Sequence, residues 1–254
     1  MKLWDKGFSI DKQIENFTVG NDREIDIHIA KYDVQASLAH AIMLASIGII
    51  SADELADLKK GLNELAADIE NETFVIEPSF EDVHSKIEWE LTNKLGEVGK
   101  KIHTARSRND QVLVALQLYY KENLAIVNDK VKALFDTLLN LAETHKESLL
   151  PGYTHLQVAM PSSFGLWFSA YAELLIDDVY VLNAVSKVVD QNPLGSAAGY
   201  GSSFPIDREL TTKELDFATL KYNVVAAPLS REKSERSIAA ALWGLCNTMA
   251  RFAM

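Results

Sequence analysis

The chain has 254 residues, 48% of them apolar and 24% charged, which excludes mini-proteins, collagen-like repeats and wholly disordered chains and leaves one or two folded domains. Its 25 Lys and Arg against 36 Asp and Glu give a net charge of −11. A field of that sign repels nucleic acid and anionic membranes, so an acidic ligand has to be captured by a local cationic site. The single cysteine, Cys246, excludes an intramolecular disulfide framework and a cysteine-rich metal site, and a reducing cytoplasm is the expected setting. The start of the chain carries Lys2, Asp5, Lys6, Asp11, Lys12 and Glu15 and does not read as an export signal.

In chain order, Ile25, Ile29, Tyr32 and Ala36 form the first helical stripe. Val34 to Ala52 holds no charge for 19 residues, yet its Gln35, Ser37, His40, Ser46 and Ser51 make a buried helix the expectation rather than a membrane span. Ser51 followed by Glu54 is a capping-box pattern, and Leu55, Leu58, Leu62, Leu65 and Ile69 then recur at steps of three and four. Only Thr73 to Ile76 suggests a strand, too short to found a sheet. Asp82 is placed to cap a helix carrying Ile87, Leu91 and Leu95, with Gly96 as its stop. The first hundred residues therefore read as short helices.

All 6 prolines and all 12 glycines lie outside 109–150, a run of 42 residues with no backbone breaker. A helix covering it is on the order of 60 Å long. Val112 to Tyr120 is apolar at every position but Gln117, so that part must be enclosed on several sides, by a bundle or by partner chains. Pro151-Gly152 ends the element, and a second long helical stretch is expected from Ser162 to about Gln191, interrupted only by Gly165. Asn192 to Pro205 reads as a loop whose Gly195, Gly199 and Gly201 either cradle an anion or turn a corner. Ile238, Leu242, Leu245, Met249 and Phe252 mark a last helix running to Met254 without a cap, and the expectation is the front part of a longer protein.

Two segments concentrate reactive side chains. His103-Thr-Ala-Arg-Ser-Arg-Asn-Asp-Gln111 precedes the 42-residue run, and placing Arg106 and Arg108 at a positive helix N-terminus is unfavourable unless an anion sits there. Either a carboxylate or phosphate ligand binds, or Ser107 or Asn109 caps the helix while the arginines pair with acidic groups elsewhere. Pro151-Gly-Tyr-Thr-His-Leu-Gln157 lies at the other end of the same run. Its histidine is either an acid or base in a polar turn or a residue satisfied by that turn's backbone. His84 reads similarly and more weakly, whereas His28, His40 and His145 are assigned to structure. No spacing makes a convincing metal site, and neither a phosphate loop nor a nucleophile elbow is present. Residues some 60 Å apart share a substrate only if identical chains pack antiparallel, so the spacing argues for an oligomeric site.

These segments, with Pro193-Leu-Gly-Ser-Ala-Ala-Gly199 and Asp207-Arg-Glu-Leu210, resemble the argininosuccinate lyases of the fumarase/aspartase superfamily. The resemblance implies an all-α protein, with a small N-terminal helical domain over 1–105. Part of a central long-helix bundle follows over 106–254, incomplete at its C-terminus. It further implies a homotetramer with shared active sites, no cofactor, and cleavage of argininosuccinate to arginine and fumarate in arginine biosynthesis. Carried across residue by residue, Ser107, Arg108 and Asn109 hold substrate carboxylates, Thr154 binds substrate and His155 is an acid/base catalyst. His84 and Gln157 take supporting binding roles.

The family's other catalytic group is a serine in a flexible Gly-Ser-Ser-x-Met-Pro-x-Lys-Lys-Asn loop, and no such string occurs in these residues. The 254 residues alone are therefore expected to be inactive. Two further departures concern Leu3-Trp-Asp-Lys-Gly-Phe8, where Leu-Trp-Gly-Gly-Arg-Phe is usual, and Gly20, where a substrate-contacting serine is common. The competing readings are another fumarate-forming lyase of the superfamily and a crystallin-like structural protein. A purely helical scaffold leaves Arg106 and Arg108 unexplained.

Overall fold

A computed structural model describes residues 11–254; the Leu3 to Phe8 departure lies outside them. In chain order the elements are α1 (Lys12–Val19), α2 (Asp22–Ile25), α3 (Ala30–Ser46), α4 (Ala52–Glu70), α5 (Val83–Leu95), α6 (Glu97–Lys100) and α7 (Arg108–Thr144). A hairpin of β1 (Leu149–Thr154) and β2 (Gln157–Ser163) follows, then α8 (Phe164–Val189), β3 (Gln191–Asn192), α9 (Arg208–Glu214), β4 (Thr219–Leu220), α10 (Ala226–Leu229) and α11 (Lys233–Ala253). The architecture is all-α, with two minor sheets among the described residues. No helix among the described residues is long and apolar enough to cross a membrane.

The chain divides into two compact units, one of 11–119 with Asp190–Arg231 and one of Tyr120–Val189 with Glu232–Met254. In the first, both capping boxes form as their residues dictate. The Ser51 hydroxyl accepts from the Glu54 amide at 3.2 Å while the Glu54 carboxylate accepts from the Ser51 amide at 2.9 Å. Asp82 does the same for α5, accepting from the Ser85 amide at 2.7 Å, and Gly96 ends that helix at φ 60°. Leu58, Leu62 and Leu65 of α4 are wholly buried with Ile87 and Leu91 of α5, each worth about 1.5–3 kcal/mol of removal from water. The charge-free segment makes up most of α3 and the turn after it, and α3 is buried on most sides, including Ser37 and His40. Thr73 to Ile76 buries Phe74 and Ile76 while exposing Val75, but it pairs with no strand among the described residues. It has the alternation of a strand without a partner to bond.

The first part of α7 is enclosed as its all-round apolarity requires: Leu113, Val114, Ala115 and Leu118 pack with Tyr32, Ala36 and Ala39 of α3 and with Leu194, Leu215 and Phe217. In the second unit the same helix becomes amphipathic. Leu124, Val131 and Leu138 form a seam against Ala172, Leu175, Leu182 and Val185 of α8 and Ala241 and Leu245 of α11. α7 ends at Thr144, six residues short of the expected limit, because 149–163 is a hairpin rather than a simple turn. α8 correspondingly begins at Phe164 and ends at Val189.

Gly165 is the close-approach point at the base of that hairpin. A Cβ there would lie 2.6 Å from Cα of Lys146 and 2.7 Å from the Ala142 carbonyl oxygen, both backbone. Gly165→Ala is therefore expected to lower the unfolding free energy by about 1–3 kcal/mol. Chemical denaturation measures this, and an unchanged midpoint would contradict the packing described.

Candidate active site

In the first unit the reactive groups gather where α3, α5 and α7 begin or meet. Ser107 caps α7: its hydroxyl accepts from the Asn109 amide at 3.2 Å, and its own amide donates to Asp110 Oδ1 at 2.9 Å. Arg106 and Arg108 do find acidic neighbours. Arg106 is buried, donates through Nη1 to the Ser37 hydroxyl at 2.8 Å and sits in the field of Asp33 and Asp110. Arg108 pairs through Nη1 with Asp82, the carboxylate that caps α5. The pairing is incomplete. Nε and Nη2 of Arg108, and Nε of Arg106, have no hydrogen-bond partner among the described residues. Ser107, Arg108 and Asn109 are each half-buried, and the unpartnered Arg108 nitrogens are themselves buried, donors whose loss of water is uncompensated among the described residues.

His84 is buried, not solvated, and its Nδ1 lies 3.1 Å from Asp33 Oδ1. Asp33 also accepts from Gln111 Nε2 at 2.9 and 3.1 Å. Burial opposes charge on Asp33, but His84, Arg106 and Gln111 outweigh it and hold its carboxyl below the ordinary range. Asp82 is depressed likewise: burial opposes its charge, and Arg108, His84 and Ser85 prevail. Asp33 was not singled out in the sequence. Its signal is a carboxylate immediately before the charge-free run that starts at Val34, where burial is costly unless the charge is partnered.

His40 belongs to structure in a specific way. Its Nε2 lies 2.9 Å from the Thr104 carbonyl, and burial together with the nearby Arg106 guanidinium pushes its pKa from 6.5 to about 3. Below the unfolded value of 6.5 the unfolded chain binds a proton that the folded chain refuses until about pH 3. Stability therefore falls as pH drops through that window, at up to about 1.4 kcal/mol per pH unit from this one group. His40→Gln, which keeps a donor for Thr104, is expected to reduce the slope of unfolding free energy between roughly pH 4 and 6. An unchanged slope would remove His40 as the cause.

In the second unit, β1 and β2 pair antiparallel, with Thr154 opposite Gln157 and an irregularity between Gly152 and Tyr153. His155 and Leu156 form the two-residue turn, both left-handed at φ 49° and 62°, the pattern of a type I′ hairpin. Thr154, His155 and Gln157 thus share one exposed tip, with Leu156 98% exposed beside them. Non-glycine residues in this region are strained, and such strain concentrates at functional positions. Ala105 (φ 59°) lies in the first reactive segment, His155 and Leu156 in the second and Ala197 (φ 51°) in the glycine loop, while Glu72, Asp216 and Glu232 carry the same conformation elsewhere.

The glycine loop after β3 cradles an anion that the chain itself supplies. The amides of Gly195 and Ala197 both donate to Asp110 Oδ2 at 2.9 Å. Gly20, at φ 54°, leaves open space where a side chain would be.

A family model described as lyase matches residues 8–253. The argininosuccinate lyases of Phocaeicola vulgatus and Bacteroides fragilis are 54% and 53% identical over 99% of this chain and 56% of their own length. That of Thermotoga neapolitana is 43% identical over 99% of this chain and 63% of its own. The chain thus spans little more than half the length of the curated relatives it matches. Among solved structures, an EDDS lyase in complex with formate covers 98% of this chain and 50% of its own at a TM-score of 0.75 and 23% identity. A fumarate lyase from Mesorhizobium covers 98% and 58% at a TM-score of 0.74 and 19% identity, a likeness that concerns the fold. With its helical architecture and a lyase match over nearly its whole length, the chain belongs to the lyase family.

Proposed function

We propose that the complete protein eliminates fumarate from argininosuccinate and releases arginine. The observation that carries this reading is the unpartnered Nε and Nη2 of Arg108 beside Ser107 and Asn109 at the head of α7. Two parallel N–H groups on one guanidinium match a carboxylate, and the helix N-terminus adds partial positive charge. The curated relatives named argininosuccinate lyase support the substrate.

Removing the proton from the carbon beside a substrate carboxylate places extra negative charge on that carboxylate. Arg108, Asn109 and Ser107 stabilise it with donors already in position. The electron pair then forms the double bond of fumarate as the carbon–nitrogen bond breaks, and the departing guanidino nitrogen takes a proton. His155 transfers a proton in this sequence, while Thr154 and Gln157 hold substrate at the hairpin tip and His84 supports binding. A second acid/base group comes from outside these residues. The family resemblance implies that no cofactor takes part.

We further place Arg108 and His155 of one site on different copies of the chain, in a homotetramer working in the cytoplasm, with 1–105 as the N-terminal domain and 106–254 as part of the bundle. The hydrophobic side chains exposed on the second unit, among them Leu156, Leu166, Tyr180 and Trp243, support burial against other chains or chain segments. The test is fumarate absorbance from the complete protein given argininosuccinate, adenylosuccinate or malate. Turnover of argininosuccinate alone is expected, and preference for either other compound would move the assignment within the superfamily. These 254 residues by themselves are expected to give none, and measurable fumarate from them would contradict the need for a further catalytic group.

A further inference from the structure

The carboxylate of Asp110 is used by no step above, yet it is wholly buried and accepts three backbone N–H groups. Ser107 donates to Oδ1 at 2.9 Å, and Gly195 and Ala197 donate to Oδ2 at 2.9 Å each. The first bond closes the turn that carries Ser107, Arg108 and Asn109. The other two come from a loop 85 and 87 residues further along. Left-handed Gly195 and Ala197 turn their N–H groups to one side, the geometry of an anion nest. That loop is itself braced: Arg208 donates to the carbonyls of Leu194 at 2.8 Å and Lys221 at 2.9 Å, and a Cβ on Gly195 would press to 2.7 Å from its side chain. One carboxylate therefore ties a rigid loop to the first turn of α7, through bonds stronger than neutral ones.

We propose that Asp110 is a positioning residue whose carboxylate fills the nest of the glycine loop and thereby holds the Ser107–Arg108–Asn109 turn so that the free face of Arg108 meets a substrate carboxylate. This deepens the lyase reading and rests on it for the ligand. Asn at this position keeps the shape but turns its amino group toward at least one of the three N–H donors, donor against donor.

The test is Asp110→Asn in the complete protein, by steady-state kinetics and amide hydrogen exchange. The variant is expected to keep its helical circular dichroism, to raise KM for argininosuccinate at least about tenfold and to lower kcat as well, because the displaced turn both binds the carboxylate and stabilises the charge that builds on it. Without ligand, the amides of Ser107, Gly195 and Ala197 are expected to exchange at least about tenfold faster. A wild-type KM, unchanged exchange at these amides, or losses in KM and kcat that come with a lowered melting midpoint would each overturn the proposal. Should the parent protein not turn over argininosuccinate, the lyase reading falls and ligand-free exchange decides the positioning claim by itself. Should Asp110→Asn not fold, saturating fumarate on the parent protein replaces it: slowed exchange at Gly195 and Ala197 supports the coupling, and unchanged exchange refutes it.

Discussion

His155→Asn in the complete protein is expected to lower turnover of argininosuccinate by more than about 10²-fold while leaving the fold intact. The loss follows from the group removed: an amide neither gives nor takes a proton near neutral pH, and a positioned acid or base is worth about 10² to 10⁴ in rate. The intact fold follows from the backbone. His155 sits at φ 49° in a two-residue hairpin turn, and Asn accepts that region more readily than almost any other side chain. Its side chain is exposed in the single chain, so no core contact is lost. Unchanged circular dichroism and assembly with lost activity is the predicted pair of results; near-normal turnover would remove His155 from the chemistry.

Arg108→Gln is expected to reduce kcat/KM by more than about 10²-fold, by removing two charge-assisted donors worth about 1.5–3 kcal/mol each. The substitution breaks the pair with Asp82, but that carboxylate keeps its bonds to the Ser85 amide and hydroxyl, so α5 stays capped. Asp82 is held below the usual carboxylate range in part by Arg108. Its carboxyl should therefore titrate closer to the ordinary value in the variant, as carboxylate NMR would read. Activity within a few-fold of the parent would show that Arg108 serves the fold alone.

The sequence displayed the helices and the head of α7 plainly, because those signals are local. Ser51 with Glu54, and Gly96 after Leu95, act within one turn of the chain, and the absence of Gly and Pro over 109–150 leaves helix as the only element of that length. The hairpin was hidden for equally local reasons. Pro151 and Pro161 stand opposite each other in its ladder, where proline removes a donor and argues against a strand. Its turn is His155-Leu156 rather than the Asn-Gly or Asp-Gly that announces a type I′ turn. The alternation in Thr73 to Ile76 pointed to a strand, but a strand needs a neighbour, and pairing is not a property of one segment.

For the candidate site, the segments were legible and the partners were not. Ser107, Arg108 and Asn109 lie together at one helix start as their order dictates, and Thr154, His155 and Gln157 at one hairpin tip. Nothing local reveals that Arg108 reaches Asp82, that His84 is buried against Asp33 some 50 positions earlier, or that Asp110 answers the glycine loop. The two readings offered for the arginines do not exclude each other: Arg106 and Arg108 have acidic neighbours and Ser107 caps the helix, while two buried Arg108 nitrogens have no partner among the described residues and are what the ligand reading rests on. The two readings of the glycine loop merge as well, since it turns a corner and cradles an anion, with Asp110 as that anion.

The most direct test of an active site built from different copies of the chain is complementation between the two inactive variants. Complete Arg108→Gln and His155→Asn chains, co-expressed and purified as hybrids, should recover fumarate release several-fold above either parent, because some sites then combine an intact guanidinium from one chain with an intact imidazole from another. Hybrids no more active than the average of the two parents would contradict the account.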